Sequence, residues 1–194
     1  MLRLFVGIAL PEAVRVELGT LCSGIPNARW IRPENLHMTL RFIGEVSEDV
    51  AEYVDDSLNE IHTKSFSIQL NGLGFFGSSR SPRQIWVGVE RNFALYHIQE
   101  KIESAIARAG LCPERRKFVP HVTLARLHGH STPRLQSFLS AHEPFYKGPI
   151  TVDRFTLFSS RLSHNGAIYR TEADYLLDSD QAPKRVKVCS TEPI

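Results

Sequence analysis

The segments "HMTLRFI" at residues 37–43 and "HVTLAR" at residues 121–126 contain the same His-x-Thr-Leu pattern, which thus occurs twice in a chain of 194 residues. A chain with 8 histidines should contain such a match far less than once by chance, so two matches require an explanation. One copy is compatible with an ordinary strand that contains a histidine. Two copies indicate two matching halves of a single site.

Each motif predicts a strand with one polar and one apolar face. Because side chains alternate along a strand, His37 and Thr39 point to one side, whereas Met38, Leu40 and Phe42 point into a core. The second motif repeats the arrangement, with His121 and Thr123 on one face and Val122 and Leu124 on the other. Two such strands would form two walls of a polar cleft. The alternative is that the polar faces are merely solvated, which is favoured for one copy and disfavoured for two.

The two polar faces together offer two imidazoles and two hydroxyls. A facing pair of histidines can supply one general base and one general acid near neutral pH, and threonine hydroxyls can donate hydrogen bonds to an anion. This set suits a phosphodiester, because phosphoryl transfer needs in-line acid and base and stabilised oxygens rather than a covalent nucleophile. No acidic residue or further histidine stands at a ligand spacing within either motif. No metal is therefore expected, although metal ligation remains an alternative.

The rest of the sequence alternates between strand and helix patterns. The predicted order is strand, helix, two strands, helix, then two strands, helix, strand, helix and two strands. Ser47 is a good N-cap for the second helix, and Gly110 is placed to end the third. The last two strands are predicted at residues 150–160 and 167–177. This order indicates an α+β fold of two similar lobes, each with one His-x-Thr-Leu strand.

Composition narrows the class of protein. The formal charge of +2 is too small to identify a nucleic-acid binder by charge alone. The three cysteines Cys22, Cys112 and Cys189 are widely spaced and form no Cys-x-x-Cys pair, so neither a disulfide framework nor a thiolate metal site is expected, and a reducing cytoplasm fits best. The apolar run at residues 4–10 is too short for a membrane span or a secretory signal.

The domain organisation is predicted to be simple. Residues 1–177 are expected to form one unit of two lobes, and nothing demands more than a monomer. Residues 178–194 are polar, contain proline and lack periodicity, so this tail is expected to be largely disordered.

The segments "ARWIRPENLHMTLRFIGEV" and "FVPHVTLAR" resemble the two signatures of the 2H phosphoesterase superfamily, in particular its LigT-like RNA 2′,3′-cyclic phosphodiesterases, also called 2′-5′ RNA ligases. The resemblance runs from "LFVGIALPE" to "AIYRTEADYLL", nearly everything before the tail. It implies a bilobal α+β fold with pseudo-twofold symmetry, antiparallel sheets and both motifs lining a central cleft. It also implies hydrolysis of a 2′,3′-cyclic phosphate at an RNA end to a 2′-phosphomonoester, without a metal or other cofactor.

The resemblance assigns a role to each motif residue. His37 would donate a proton to the leaving 3′ oxygen, and His121 would accept a proton from the attacking water. Thr39 and Thr123 would hold the phosphate oxygens.

The family pattern also places an arginine three residues after the second threonine, here Arg126, as a phosphate ligand. Strand alternation alone would point Arg126 into the core with Val122 and Leu124. We therefore expect the strand to end or bulge near Ala125.

Two basic segments are further candidates for contacts with an RNA backbone. One is "ERRK", with Arg115, Arg116 and Lys117 just before the second motif, and the other carries Arg80 and Arg83. A solvated basic loop is an equal alternative for each.

Other residues receive plainer interpretations. His128 and His130 have a spacing that can mark a metal site, but no carboxylate or cysteine is close in sequence, so ligation is not expected. Trp30 and Trp86 could stack on bases, although core packing is the stronger expectation.

Three alternative functions stay open. A non-catalytic RNA-binding module would give no reason to repeat an imidazole and a hydroxyl. The same site could instead act on a small cyclic nucleotide, or join RNA ends through a 2′-5′ linkage by reversing the hydrolysis. Hydrolysis ranks above ligation because water is the most concentrated nucleophile.

Overall fold

In a computed structural model of the chain, the structure describes residues 1–127, 133–163, 166–177 and 185–186. The helices in these ranges are α1 (Glu12–Thr20), α2 (Glu48–Asn59), α3 (Phe93–Arg108) and α4 (Pro133–Ala141), with a short 3-10 helix at Pro33–Asn35. The strands are β1 (Leu2–Ala9), β2 (Ala28–Trp30), β3 (His37–Val46), β4 (Phe66–Ser78), β5 (Ser81–Val89), β6 (His121–Leu127), β7 (Tyr146–Val152), β8 (Arg154–Ser163), β9 (Gly166–Leu176) and β10 (Arg185–Val186).

The strands form an antiparallel sheet in the order β10-β9-β8-β1-β3-β6-β5-β4-β7, and β2 pairs with β6. Its two halves meet at β3 and β6, where the register contains one residue pair, Met38 with Val122. Each motif strand thus lies at the inner edge of its half-sheet. The expected arrangement of two lobes with antiparallel strands around the motifs is confirmed, with the two half-sheets continuous at the centre.

The helices cover the apolar side of the sheet. Helix α2 begins where the Ser47 side chain accepts a hydrogen bond from the Val50 amide, as predicted for an N-cap. Helix α3 ends before Gly110, whose φ of +85° is the left-handed conformation that glycine adopts easily. The motif residues Met38 and Val122 belong to the buried core that these helices complete. No helix within the described ranges is long and apolar enough to cross a membrane.

The prediction of one strand over residues 150–160 is wrong. The chain leaves the ladder at Asp153, whose carbonyl accepts a hydrogen bond from the Leu177 amide. Strand β7 ends beside β4 at one edge, and after the single residue Asp153 strand β8 begins beside β1 in the other half. The sheet must therefore curl so that these distant parts approach each other. Buried apolar residues continue on both sides of Asp153, which is why the pattern did not show the break.

The predicted disorder of residues 178–194 lies for the most part outside the described residues and stays a prediction. Within this tail, the two residues of β10 pair antiparallel with β9, Arg185 with Tyr175 and Val186 with Asp174.

Candidate active site

Both motif strands present their histidine and threonine to one cavity. The antiparallel pairing of Met38 with Val122 fixes the strands side by side, so the alternate side chains of both face the same cleft. The cavity has a volume of about 280 Å³ and its lining includes all four predicted residues, His37, Thr39, His121 and Thr123. The structure therefore brings together the two halves of the repeated pattern.

Backbone carbonyls hold the two imidazoles in matching orientations. Nδ1 of His37 lies 2.7 Å from the carbonyl oxygen of Asn35, and Nδ1 of His121 lies 2.6 Å from that of Val119. A carbonyl only accepts hydrogen bonds, so each Nδ1 carries a hydrogen and donates it. In the neutral rings Nε2 is then the unprotonated nitrogen. Nε2 is therefore the atom of each histidine that can exchange a proton within the cleft.

The surroundings of His37 are enclosed and aromatic. Its ring centroid lies 4.8 Å from that of Phe5 and 5.1 Å from that of Tyr169. Its Nε2 lies 3.1 Å from the Thr39 hydroxyl. Burial lowers the pKa of His37 below its ordinary 6.5, the hydrogen bond to Asn35 opposes this shift, and the charges of His121 and Arg126 add to it. These surroundings favour the neutral form of His37.

The surroundings of His121 are more open. The Phe76 ring meets the imidazole edge to face at a centroid distance of 4.8 Å, and Trp86 lies farther off at 6.3 Å. Burial lowers the pKa of His121 as well, and the hydrogen bond to Val119 opposes the shift. A neutral His121 can accept a proton, as a general base must.

A β-bulge in β6 turns Arg126 toward the cleft. Thr123 and Ala125 pair with the successive residues Trp86 and Ile85 of β5, so Leu124 is the extra residue. Leu124 and Ala125 are both buried, and the exposed Arg126 lines the cavity with the two histidines. The predicted bulge near Ala125 is confirmed.

The first motif strand, β3, contains a β-bulge at the equivalent position. Thr39 and Arg41 of β3 pair with the successive residues Gly7 and Val6 of β1, so Leu40 is extra. The prediction that Phe42 faces the core is wrong, because the bulge reverses the alternation after Leu40. Phe42 is 40% exposed and lines the cavity. It occupies in the first motif the place that Arg126 occupies in the second.

The bulge also buries Arg41, which the sequence analysis did not single out. Arg41 is 9% exposed, its Nη2 donates to the Cys112 carbonyl at 2.5 Å, and its Nε lies 3.0 Å from a Glu103 carboxylate oxygen. A buried guanidinium needs such partners to replace water. Simple alternation would place Arg41 on the polar face, where an arginine is unremarkable, so the sequence carried no signal for this role.

Glu114 connects Arg41 to the basic segment before the second motif. Its carboxylate lies 3.8 Å from Nη1 of Arg41 and 2.7 Å from Nη2 of Arg116. The hydrogen bonds from Arg116 hold the pKa of Glu114 at about 2. Arg116 thereby reaches the cavity lining.

The remaining predicted residues are distributed around this centre. Lys117 lines a second cavity beside the first, whereas Arg115 is exposed and lines neither, so its contact with RNA stays a prediction. Gln84, which the sequence analysis missed, lines both cavities, and its amide donates to the Thr123 hydroxyl at 3.5 Å.

The tryptophans Trp30 and Trp86 are not part of either cavity lining. Trp86 packs beside Phe76, and Trp30 lies near Phe138 with ring centroids 5.8 Å apart. His128 and His130 lie outside the described residues. Within the described part of the chain, no three histidine, cysteine, aspartate or glutamate residues are grouped as metal ligands would be.

A family described as LigT like Phosphoesterase matches the chain twice, over residues 8–86 and 87–169. An RNA 2′,3′-cyclic phosphodiesterase of Aeropyrum pernix is 39% identical over 151 residues, which cover 77% of this chain and 85% of the relative. One of Aquifex aeolicus is 33% identical over 153 residues, which cover 77% and 81%.

Solved structures give a similar result. The structure of E. coli LigT complexed with 3′-AMP superimposes with a TM-score of 0.73 at 26% identity and covers 91% of this chain and 98% of that one. A structure described as a phosphoesterase has a TM-score of 0.74 at 25% identity, with coverage of 92% and 99%. Each of the two matched segments of this chain contains one His-x-Thr motif.

Proposed function

The chain belongs to the LigT-like phosphoesterase family, and we propose that it opens the 2′,3′-cyclic phosphate at an RNA end with His37 and His121 as its acid and base. Its function is that of an RNA 2′,3′-cyclic phosphodiesterase, a hydrolase. The observation that carries the proposed roles is the presence of both imidazoles in one cavity, each with Nδ1 occupied by a backbone carbonyl and Nε2 left for proton exchange.

The proposed reaction is a single in-line displacement at phosphorus. Nε2 of His121 takes a proton from a water molecule as the water oxygen attacks the phosphorus. The bond from phosphorus to the 3′ oxygen breaks, and Nε2 of His37 gives its proton to that oxygen. The product is a 2′-phosphomonoester, and proton exchange with solvent restores both histidines. The protein itself forms no covalent bond to the substrate.

The surroundings of the histidines support this assignment of acid and base. His121 lines both cavities, so water reaches it from the larger one, whereas His37 lines only the smaller and more enclosed cavity. An enclosed acid beside the leaving oxygen loses its proton to the substrate rather than to bulk water.

Three side chains are proposed to hold the phosphate oxygens. The hydroxyls of Thr39 and Thr123 face the cavity from both walls, and Arg126 supplies a permanent positive charge. These donors stabilise the charge that gathers on the equatorial oxygens as phosphorus becomes five-coordinate.

We further propose a monomeric enzyme of the cytoplasm that needs no metal, with residues 1–177 as its catalytic unit. One chain supplies both histidines and both threonines, so the cleft needs no residue from a second subunit. The cysteine spacing fits a reducing compartment.

The proposal is tested with EDTA-treated protein and a short RNA that ends in a 2′,3′-cyclic phosphate, with identification of the monophosphate formed. We expect a 2′-phosphate from the wild type, and its loss in both His37→Ala and His121→Ala. His62→Ala, which removes an exposed histidine, is the control. A wild type that binds this RNA but leaves the ring closed, or a His37→Ala protein with normal turnover, would refute the proposal.

A further inference from the structure

A second cavity of about 440 Å³ adjoins the catalytic one. It lies between the β4–β5 hairpin and the segment before β6, and the two cavities share Thr39, Phe42, Gln84, Arg116 and His121 in their linings. Hydrolysis needs room for one water molecule, whose share of liquid volume is about 30 Å³. The second cavity is of the size that holds small organic ligands, roughly 300–1,000 Å³. The chemistry at phosphorus leaves this space unexplained.

The second cavity carries an excess of positive charge. Its lining has one acidic side chain, Glu114, against four basic ones, Arg41, Arg83, Arg116 and Lys117. Glu114 is already bound by Arg41 and Arg116. Arg83 and Lys117 are exposed, and neither forms an ion pair with any residue that the structure describes. These two cations are free to bind an anion.

An aromatic side chain stands where the two cavities meet. Phe42 lines both of them and is 40% exposed, so part of its ring is open to a ligand. The guanidinium of Arg3 lies 5.3 Å from the centre of this ring. An exposed ring next to basic side chains is the combination by which proteins hold single-stranded nucleic acid, with a base on the ring and a phosphate on the cations.

We propose that the second cavity binds the nucleotide that precedes the cyclic end of the RNA, with its phosphate on Arg83 and Lys117 and a base against Phe42. This inference rests on the proposed function. A strand that ends in a 2′,3′-cyclic phosphate continues only through the 5′ oxygen of its last nucleotide, so the preceding nucleotide is the one neighbour that the chain can offer. The enzyme then recognises an RNA chain and not the terminal nucleotide alone.

The test compares kcat/KM for a nucleoside 2′,3′-cyclic phosphate with kcat/KM for a trinucleotide that has the same cyclic end. We expect the wild type to prefer the trinucleotide. Arg83→Ala and Lys117→Ala should each lower kcat/KM for the trinucleotide by about 10- to 100-fold, as expected for lost charge-assisted hydrogen bonds, and should reduce its salt dependence. With the mononucleotide, both variants should stay within about twofold of the wild type, since they line only the second cavity.

Arg108→Ala is the charge control, since this exposed arginine of α3 lies outside both linings. Three outcomes would each overturn the subsite. The first is an equal loss of kcat/KM for both substrates, and the second is a loss at Arg115→Ala as large as that at Lys117→Ala. The third is a wild type that gains nothing from the added nucleotides. In the last case ring opening of the mononucleotide leaves the proposed function standing. A wild type that opens neither ring refutes the proposed function, and trinucleotide binding to Lys117→Ala by fluorescence anisotropy then decides the subsite, with unchanged affinity overturning it.

Discussion

Met38 and Val122, the middle residues of the two His-x-Thr motifs, form the residue pair that joins β3 to β6. In an antiparallel register the next positions place His37 across from Thr123 and Thr39 across from His121. Each histidine therefore lies opposite the hydroxyl of the other motif. The local twofold relation of the strands is what turns a repeated pattern into one site with an imidazole on each side.

The pH dependence of kcat/KM should be bell-shaped, with its maximum below pH 6.5. The proposed reaction needs His121 neutral and His37 protonated, and burial lowers the pKa of both below that ordinary histidine value. Activity is lost when both histidines are protonated and again when both are neutral, and the lowered pKa values place both losses on the acidic side. Initial rates at low substrate concentration across pH measure this profile. A maximum above the ordinary histidine pKa would contradict it.

Arg126→Ala should raise the pKa of His37, because the positive charge of Arg126 helps to lower it. Arg126→Lys keeps a charge but loses the planar fork that holds two oxygens, so it should preserve the low pKa and still reduce turnover. NMR titration of the imidazole protons, beside turnover rates, separates the two effects. An unchanged His37 titration in Arg126→Ala would show that the guanidinium does not act on this ring.

Thr123→Ala should reduce kcat by roughly 10- to 1,000-fold, as the loss of one oxyanion donor does in other enzymes. Thr123→Ser keeps the hydroxyl and should retain most of the activity. Single-turnover rates with the cyclic-ended RNA make the comparison. Full activity without the hydroxyl would remove Thr123 from the site.

Gly7→Ala should destabilise the protein and misplace His37. A Cβ at this position would lie 2.8 Å from the backbone oxygen of Met38 and 3.5 Å from Cδ2 of His37, so β1 and β3 would have to separate. We expect a cost of about 1–3 kcal/mol, typical of overpacking. Thermal unfolding measures it, with Ala9→Ser, an exposed site on the same strand, as the control. An unchanged melting temperature would refute the close approach.

Arg41→Met should lower the free energy of unfolding by roughly 2–4 kcal/mol, because it leaves the partly buried carboxylates of Glu103 and Glu114 without their shared cation. Arg108→Ala breaks the exposed pair with Glu60 and should cost no more than about 1 kcal/mol. Urea unfolding of both variants provides the measurement. Equal stability of the two variants would mean that burial does not strengthen the ion pairs of Arg41 with Glu103 and Glu114.

Much of the site was predictable because it depends on period-two alternation. His37 and Thr39 share a face, and so do His121 and Thr123, because each pair precedes the bulge of its strand. The helix ends at Ser47 and Gly110 were predictable for a similar reason, since each depends on the chemistry of one side chain or one backbone conformation.

Only one of the two β-bulges could be predicted from the sequence. The expected place of Arg126 required a bulge in β6, whereas nothing local required one in β3, so Phe42 was assigned to the core and the burial of Arg41 was missed. The break at Asp153 was missed for a different reason. Its cause is a long-range choice of partner strand, β4 before the break and β1 after it, which no local pattern records.

The place of β1 between β3 and β8 has a consequence for synthesis on the ribosome. Residues 4–7 of β1 pair with residues 156–159 of β8, so β1 emerges long before its second neighbour is synthesised. At about 5–20 residues per second, that wait lasts on the order of ten seconds or more. During this time one edge of β1 is open to other chains. We expect the nascent protein to need protection by a chaperone until β8 has left the exit tunnel.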